Sequence, residues 1–183
     1  MSIEPPLPHE IVAFWRDAGH PKWFGKSDTF DEELRERFEG LHFAAARGEL
    51  ADWAQTAEGA LALLILLDQV PRNIFRGSAH SYATDPLARS IADAALAAGH
   101  DQALERELRC FFYLPFEHSE ALDDQDRAVA LCTANTDADT LKWAEEHRDI
   151  IRRFGRFPHR NEALGRVTSE AEAAFLADGG FAG

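Results

Sequence analysis

The sequence has few cysteines and no apolar run long enough to cross a membrane. Its two cysteines, Cys110 and Cys132, form no CxxC pair, so the sequence predicts neither a disulfide framework nor a cysteine-rich metal site. Reduced thiols of this kind are typical of a cytoplasmic protein. The most apolar run, Ala60 to Leu67, is far shorter than the roughly 20 residues that span a bilayer. It therefore predicts a helix that is buried on all sides.

Basic residues are also scarce in this sequence. There are 19 Lys and Arg against 32 Asp and Glu, which gives a net charge of −13. Nucleic acids and anionic membranes attract proteins through a cationic surface, so this balance argues against general binding to either. The first ten residues, MSIEPPLPHE, lack the basic region and apolar core of a signal peptide. We therefore expect a cytoplasmic protein with no nucleic-acid or membrane partner.

Strand-like alternation of polar and apolar residues is missing, whereas helical periodicity recurs along the chain. Phe30, Leu34, Phe38 and Leu41 follow one another at steps of three and four, which is typical of an amphipathic helix. The length of 183 residues and the 45% hydrophobic content fit one domain with a single core. We predict one all-α domain, residues 1–183, in which about eight or nine helices form a compact array of antiparallel neighbours.

Proline and capping signals predict where several helices begin and end. Pro71 lacks an amide hydrogen and should end or kink the buried helix, and Pro115 should stop the helix that precedes it. Pro158 should start a short helix that reaches Leu164. Further helix starts are predicted at Thr29 with Glu32, at Thr56, at Ser119, and at Ser169 with Glu172.

A first group of polar residues follows the buried helix directly. Asp68 lies in its last turn, where a negative charge needs a cationic partner, and Arg72 and Arg76 are the nearest candidates. Asp68 and Arg72 are four residues apart, in the order that favours an ion pair within a helix. Together with Gln69 and Asn73, these residues form either a structural ion-pair network or one wall of a functional site.

A second group is centred on His118. This residue shares a projected helical face with Gln125 and the apolar residues around it, so its side chain should point inward. Glu117 and Glu120 flank it. A histidine beside carboxylates can act as an acid or base near neutral pH, or it can be a hydrogen-bonded residue of the core.

A third group lies near the C-terminal end of the sequence. His147 occupies the middle of an apolar stripe, so it should be buried and neutral. Arg156 and Arg160 flank the predicted helix start at Pro158, and a helix N-terminus between two guanidinium groups can hold a carboxylate or phosphate. The alternative is that these arginines neutralise the acidic stretch 117–146. The same group contains His159 and Asn161.

Motifs of known metal, nucleophile and nucleotide sites are missing. His118, Glu120, His147 and His159 have suitable ligand types, but no pair of them has HExxH-like helical spacing, so no metal site is predicted. The sequence contains no GxSxG, and Cys132 lies on an apolar stripe where a thiol is usually inert. Neither GxGxxG nor GxxxxGK[ST] occurs, so the sequence does not identify a cofactor.

Several of these segments resemble one known family, the bacterial domain of unknown function 924. The resemblance covers IVAFW at 11–15, WF at 23–24, FDEELRERF at 30–38, LLDQVPRNIFRG at 66–77, FFYLPFEHSE at 111–120 and RFGRFPHRNEALGR at 153–166. Val70 departs from the family pattern, in which an aromatic residue is expected before the proline. The resemblance implies an all-α fold similar to tetratricopeptide helical arrays, and it implies no established activity. The family's motif residues correspond to Asp68, Gln69, Arg72, Asn73, Arg76, His118, Ser119, Glu120, His147, Arg156, His159, Arg160 and Asn161.

Two functional hypotheses follow, and the sequence does not decide whether the protein is an enzyme. In the first, the three groups converge in one pocket that binds or processes a small anionic molecule, by hydrolysis or another acid/base reaction. In the second, a tetratricopeptide-like scaffold binds a protein or peptide in its groove, and the polar groups only tie helices together. The first hypothesis assigns catalysis to His118, Glu120, His147 and Asp68, anion binding to Arg72, Arg76, Arg156 and Arg160, and supporting roles to Gln69, Asn73, His159 and Asn161.

Overall fold

α-Helices dominate residues 6–183, which are the residues that the computed structural model describes. Within this range there is no strand, so the prediction of an all-α fold is confirmed. The beginning of the N-terminal stretch that argued against a signal peptide, residues 1–5, lies outside the described residues. No helix in the described range is long and apolar enough to cross a membrane. The helices are α1 (Pro8–Ala18), α2 (His20–Trp23), α3 (Asp28–Ala46), α4 (Ala57–Leu64), α5 (Val70–Ile74), α6 (Asp85–Ala97), α7 (Cys110–Glu117), α8 (Leu122–Asn135), α9 (Ala138–Phe154) and α10 (Glu170–Ala177).

Helix α4 is the centre of the main core, as its apolar sequence predicts. It packs against α1, α6 and α7, and every residue from Ala60 to Leu67 is at most 1% exposed. Thr56 caps the helix, because its hydroxyl accepts a hydrogen bond from the Gly59 amide at 3.1 Å. Gly59 is required here, since a β-carbon at this position would lie 2.1 Å from the Trp53 carbonyl oxygen. The buried helix and its predicted cap are therefore both confirmed.

Pro71 neither ends the buried helix nor kinks it sharply. The chain passes from α4 through a π-helical turn, Ile65–Gln69, directly into α5. In this turn the Val70 amide bonds to the Ile65 carbonyl, and Pro71 has no amide hydrogen to donate. The carbonyl of Leu66 therefore loses both of its possible helical donors. The carbonyl of Leu67 loses the amide that an α-helix would supply.

Side chains from two other segments satisfy these carbonyl groups. His42 on α3 donates its Nδ1 hydrogen to the Leu66 carbonyl at 2.8 Å, and Thr84 before α6 donates its hydroxyl hydrogen to the Leu67 carbonyl. Both side chains are buried. The π turn thus ties α3 and α6 to the central helix through hydrogen bonds that no regular helix could accept.

Three predicted helix boundaries are wrong. Pro115 lies inside α7, which continues to Glu117, and this continuation carries Glu117 into the core at 2% exposure. Helix α3 is capped by Ser27 and not by Thr29, since the Ser27 hydroxyl accepts from the Phe30 amide. Ser119 does not cap α8 directly, although its hydroxyl accepts from the Ala121 amide one residue before the helix.

The predicted helix from Pro158 to Leu164 is reduced to a single 3₁₀ turn, Pro158–Arg160. Such a turn aligns too few peptide dipoles to make the helix N-terminal anion site considered above. Helix α10 packs against this turn and begins with the predicted capping box of Ser169 and Glu172. A second small core lies between them, formed by Ile150, Ile151 and Phe157 with Phe154, Phe175 and Phe181 packed around it.

Replacing Thr84 by Val should destabilise the fold. The substitution keeps the shape of the side chain but leaves the buried Leu67 carbonyl without a donor, which typically costs about 1–3 kcal/mol. The free energy of unfolding, measured in urea, should fall by this amount. Thr84→Ser keeps the hydroxyl and should lose much less, so equal stability of the Val and Ser variants would show that this hydrogen bond contributes little.

Candidate functional site

A cluster of buried charged side chains lies where the π turn, α5, α6 and the end of α7 meet. The Asp68 carboxylate lies 2.8 Å from Nδ1 of His118 and 3.2 Å from Nη1 of Arg72. Arg72 also binds both oxygens of Asp85 at the start of α6, at 2.8 and 2.9 Å. Arg160 donates to the His118 carbonyl at 3.0 Å and lies 3.6 Å from Asp85. The structure therefore brings one or two residues of each predicted group into one network.

The Asp68 carboxylate is ionised although its side chain is only 1% exposed. Burial alone would raise its pKa, but Arg72 and His118 together hold that pKa well below the usual range. The cluster contains two carboxylates, Asp68 and Asp85, and two guanidinium groups, Arg72 and Arg160, so it is formally neutral. This balance allows four charged groups to be buried together.

The hydrogen bond to Asp68 fixes the tautomer of His118. An ionised carboxylate can only accept, so Nδ1 of His118 carries the hydrogen and Nε2 presents a lone pair. Burial and the nearby Arg72 lower the pKa of His118, and Asp68 opposes them only in part. The hydrogen bonds of this ring within residues 6–183 are all made by Nδ1, and the side chain is 14% exposed. His118 is therefore a neutral base whose free nitrogen is reachable.

His147 on α9 supplies a second neutral imidazole, with its ring centroid 6.3 Å from that of His118. Its Nδ1 lies 2.8 Å from the Trp143 carbonyl oxygen, which can only accept, so Nδ1 again carries the hydrogen. Burial, reinforced by His118, lowers the pKa of His147 to about 3. Its Nε2, like that of His118, makes no hydrogen bond in the described part of the chain.

Glu117 lies beside this pair as a protonated acid. Its carboxyl oxygen is 3.1 Å from Nδ1 of His147, but the contact is not an ion pair at neutral pH. Burial, with repulsion from Asp68, raises the pKa of Glu117 to about 8. A proton is therefore held within the core next to a neutral histidine.

Aromatic rings enclose Arg160. Its Cζ lies 4.6 Å from the centroid of Tyr82 and 4.5 Å from that of Phe157. Burial and the nearby Arg72 lower the pKa of Arg160 to about 10, so the group remains charged at neutral pH. Its Nε is buried without a hydrogen-bond partner in residues 6–183. Arg160 thus keeps an unused donor at the edge of the cluster.

Three residues predicted for the same site are held elsewhere, and this corrects the expectation that four arginines converge. Glu120 binds both terminal nitrogens of Arg166 at 2.8 Å and accepts from the Phe157 amide. Arg76 binds Asp31 at the start of α3, and Arg156 binds Glu172 of the α10 capping box. Each of the three neutralises a partner of its own.

The predicted supporting residues divide in the same way. Gln69 donates to Asp68, whereas Asn73 donates to Asp31 at 2.7 Å. Asn161 is fully buried and donates to Thr168 at 3.3 Å. His159 lies on the far side of Phe157, with ring centroids 5.6 Å apart.

Sequence reasoning missed several residues of the cluster. Asp85 was considered only as a helix start, Glu117 only as a neighbour of His118, and Tyr82 not at all. Gln125 was placed on the correct face, and its amide donates to the carbonyls of Glu117 and Ser119, which shapes the turn that carries His118. No local signal in the sequence could pair Asp85 with Arg72, because they meet only when α5 packs beside α6.

Metal, thiol and cavity features do not extend this site. Among the described residues, no group of three or more His, Cys, Asp or Glu side chains is arranged to hold a metal ion. Cys110 and Cys132 are buried, and burial raises the pKa of the Cys132 thiol to about 12. A cavity of about 370 Å³ lies elsewhere, between α2 and the start of α9, with Trp23 and Phe24 in its wall.

The fold and the cluster define an all-α protein with a buried histidine–carboxylate–arginine centre. A family described as "Bacterial protein of unknown function (DUF924)" matches residues 11–180, and the chain belongs to this family. A solved structure of a protein of unknown function, ATU0120 from Agrobacterium tumefaciens, is similar at 54% identity and a TM-score of 0.91. That match covers 93% of this chain and 97% of the other. No curated protein matches the sequence.

Replacing Glu117 by Gln should stabilise the protein increasingly as the pH rises. The folded pKa of about 8 lies above the ordinary value of 4.5, so the stability that protonated Glu117 contributes is lost between these two pH values. Glutamine cannot ionise. The free energy of unfolding of Glu117→Gln relative to wild type should therefore increase from pH 5 to pH 8.5.

Glu120→Gln is the matched control for this prediction. Burial opposes ionisation of Glu120, but its bonds to Arg166 and the Phe157 amide lower its pKa overall. Its contribution is therefore present above the ordinary pKa and lost at low pH. Glu120→Gln should be less stable than wild type at pH 7, with a deficit that shrinks towards pH 4, and parallel pH profiles for the two variants would contradict the assignment.

Proposed function

We propose that the cluster is an acid/base site that acts on a small molecule, with His118 as the proton acceptor. The observation that supports this proposal is the arrangement of the His118 ring. Its Nδ1 hydrogen is held by buried Asp68 at 2.8 Å, while Nε2 makes no hydrogen bond in residues 6–183. A histidine that served only to tie helices together would be expected to use both nitrogens.

The chemistry that we propose is transfer of a proton from a water or a substrate hydroxyl group to Nε2 of His118. The resulting imidazolium would lie directly against the Asp68 carboxylate, which stabilises the new positive charge. Arg72 keeps Asp68 ionised during this step, because it lowers the pKa of the carboxyl group. Hydrolysis is one reaction that such a pair supports.

An anionic group of the substrate would meet Arg160 in this proposal. Arg72 is fully used by Asp68 and Asp85, whereas Arg160 is 3.6 Å from Asp85 and has an unpartnered Nε within the described range. Because the cluster is formally neutral, binding more than one negative charge would leave uncompensated charge in a buried place. We therefore propose a substrate with no more than one anionic group, and a cytoplasmic location in which both buried thiols remain reduced.

The first test is hydrolysis of p-nitrophenyl acetate, a general probe of basic or nucleophilic imidazoles. His118→Gln should lower the protein-dependent rate at pH 7 by about 100-fold or more, as expected for loss of a positioned base. His9→Gln removes an exposed imidazole on α1 and should leave the rate unchanged. Equal rates for wild type and a folded His118→Gln variant would contradict the proposal and support a purely structural network.

A second test measures the chemical state of His118 directly. Diethyl pyrocarbonate modifies unprotonated imidazole nitrogens, and the reaction at His118 can be followed by mass spectrometry. Because the pKa of His118 is lowered, its rate should change little between pH 7.5 and pH 6. N-acetylhistidine amide, with a pKa of about 6.5, should slow about fourfold over the same range. A matching fourfold loss at His118 would show that its neutral form is not specially favoured.

A further inference from the structure

The chain covers part of this cluster with a short segment that follows α10. Helix α10 ends at Ala177, and Gly179 then adopts a positive φ of 82° that turns the chain. The ring of Phe181 lies 4.4 Å from that of His147, 5.1 Å from that of His159 and 6.2 Å from that of Trp143, measured between centroids. Phe181 therefore lies between two imidazoles at one edge of the cluster.

Ring packing alone holds this segment in place. The last hydrogen bond along the chain runs from the Gly180 amide to the Phe175 carbonyl at 2.9 Å, and residues 181–183 make none within the described range. Phe181 is only partly buried. A segment that packs through one ring and makes no backbone hydrogen bonds opens at low free-energy cost.

The surface beneath Phe181 is polar as well as aromatic. His147 offers the lone pair of its Nε2, and Nδ1 of His159 is buried without a hydrogen-bond partner among residues 6–183. The tail lies close over His159, since a β-carbon on Gly183 would be 3.1 Å from the imidazole Cδ2. A phenyl ring cannot satisfy either nitrogen. The space that Phe181 fills would therefore suit a planar ring carrying an N–H or O–H group better than it suits phenylalanine.

We propose that the space occupied by Phe181 is a ring-binding subsite of the His118 centre, and that residues 180–183 move aside when a ligand enters it. The ligand would carry an aromatic or similarly planar ring with at least one hydrogen-bond donor for His147. This inference rests on the proposed function, because the subsite is assigned to that centre through the 6.3 Å separation of His118 and His147. The ring of the ligand would pack against the imidazoles in place of the Phe181 ring, and its donor would add a hydrogen bond.

Phenol is the probe for this proposal, and toluene is the matched ring without a donor. Phe181→Ala should bind phenol at least tenfold more tightly than wild type, measured by isothermal titration calorimetry. In that variant phenol should bind about threefold or more tightly than toluene, because only phenol donates a hydrogen bond. Replacing His147 by Phe in the same background should abolish this preference.

Phe175→Ala is the control variant. It removes the same ring from α10, where Phe175 packs against Phe154 and not against either histidine. Binding of phenol to Phe181→Ala no tighter than to Phe175→Ala would overturn the subsite. Phe181→Leu keeps an apolar cover and should show an intermediate gain, so it supplies the same comparison should the alanine variant fold poorly.

The two proposals can fail separately. Phenol binding by Phe181→Ala that persists after His118→Gln, together with unchanged ester hydrolysis in that histidine variant, would overturn the proposed function and its link to this subsite. Ester hydrolysis that depends on His118, with no gain in phenol binding by Phe181→Ala or Phe181→Leu, would overturn the subsite alone. Dependence of hydrolysis on His118 and a gain in phenol binding would support both.

Discussion

The missing amide hydrogen of Pro71 is the constraint on which the arrangement of the cluster depends. It deprives the π turn of donors at the Leu66 and Leu67 carbonyls, and His42 and Thr84 supply them from other helices. The π turn ends in Asp68 and Gln69, so the same distortion that requires outside donors sets the direction of the Asp68 side chain. The fold thereby converts a backbone defect in its most buried helix into the anchor of a charged site.

Charge balance then determines the protonation state of each histidine. Arg72 keeps Asp68 ionised, Asp68 keeps the hydrogen of His118 on Nδ1, and burial keeps both His118 and His147 neutral. Glu117 takes the opposite state, protonated, because burial raises its pKa and no cation offsets that effect. Neighbouring titratable groups with pKa values moved in opposite directions are the arrangement from which acid/base sites are built.

Local patterns in the sequence predicted the parts of the site that lie within one element. The spacing of Asp68 and Arg72 predicted their ion pair, and the apolar stripes around His118 and His147 predicted that both point inward. Pairs between elements could not be predicted in this way: Asp85 with Arg72, and Asp31 with Arg76, meet only through packing of separate helices. Counting arginines near the site therefore predicted too many anion ligands, because Arg76 and Arg156 each had a carboxylate elsewhere in the chain.

The position of Phe181 explains why the charged cluster is covered while the cavity at Trp23 and Phe24 stands open. A neutral His147 with a pKa of about 3 exists only where water is excluded, and the Phe181 ring contributes to that exclusion. The cover is nevertheless weakly tied to the rest of the protein, since residues 181–183 make no hydrogen bonds in the described range. Stable charges beneath and a weakly held ring above are the combination that lets a site remain dry until a ligand replaces the ring.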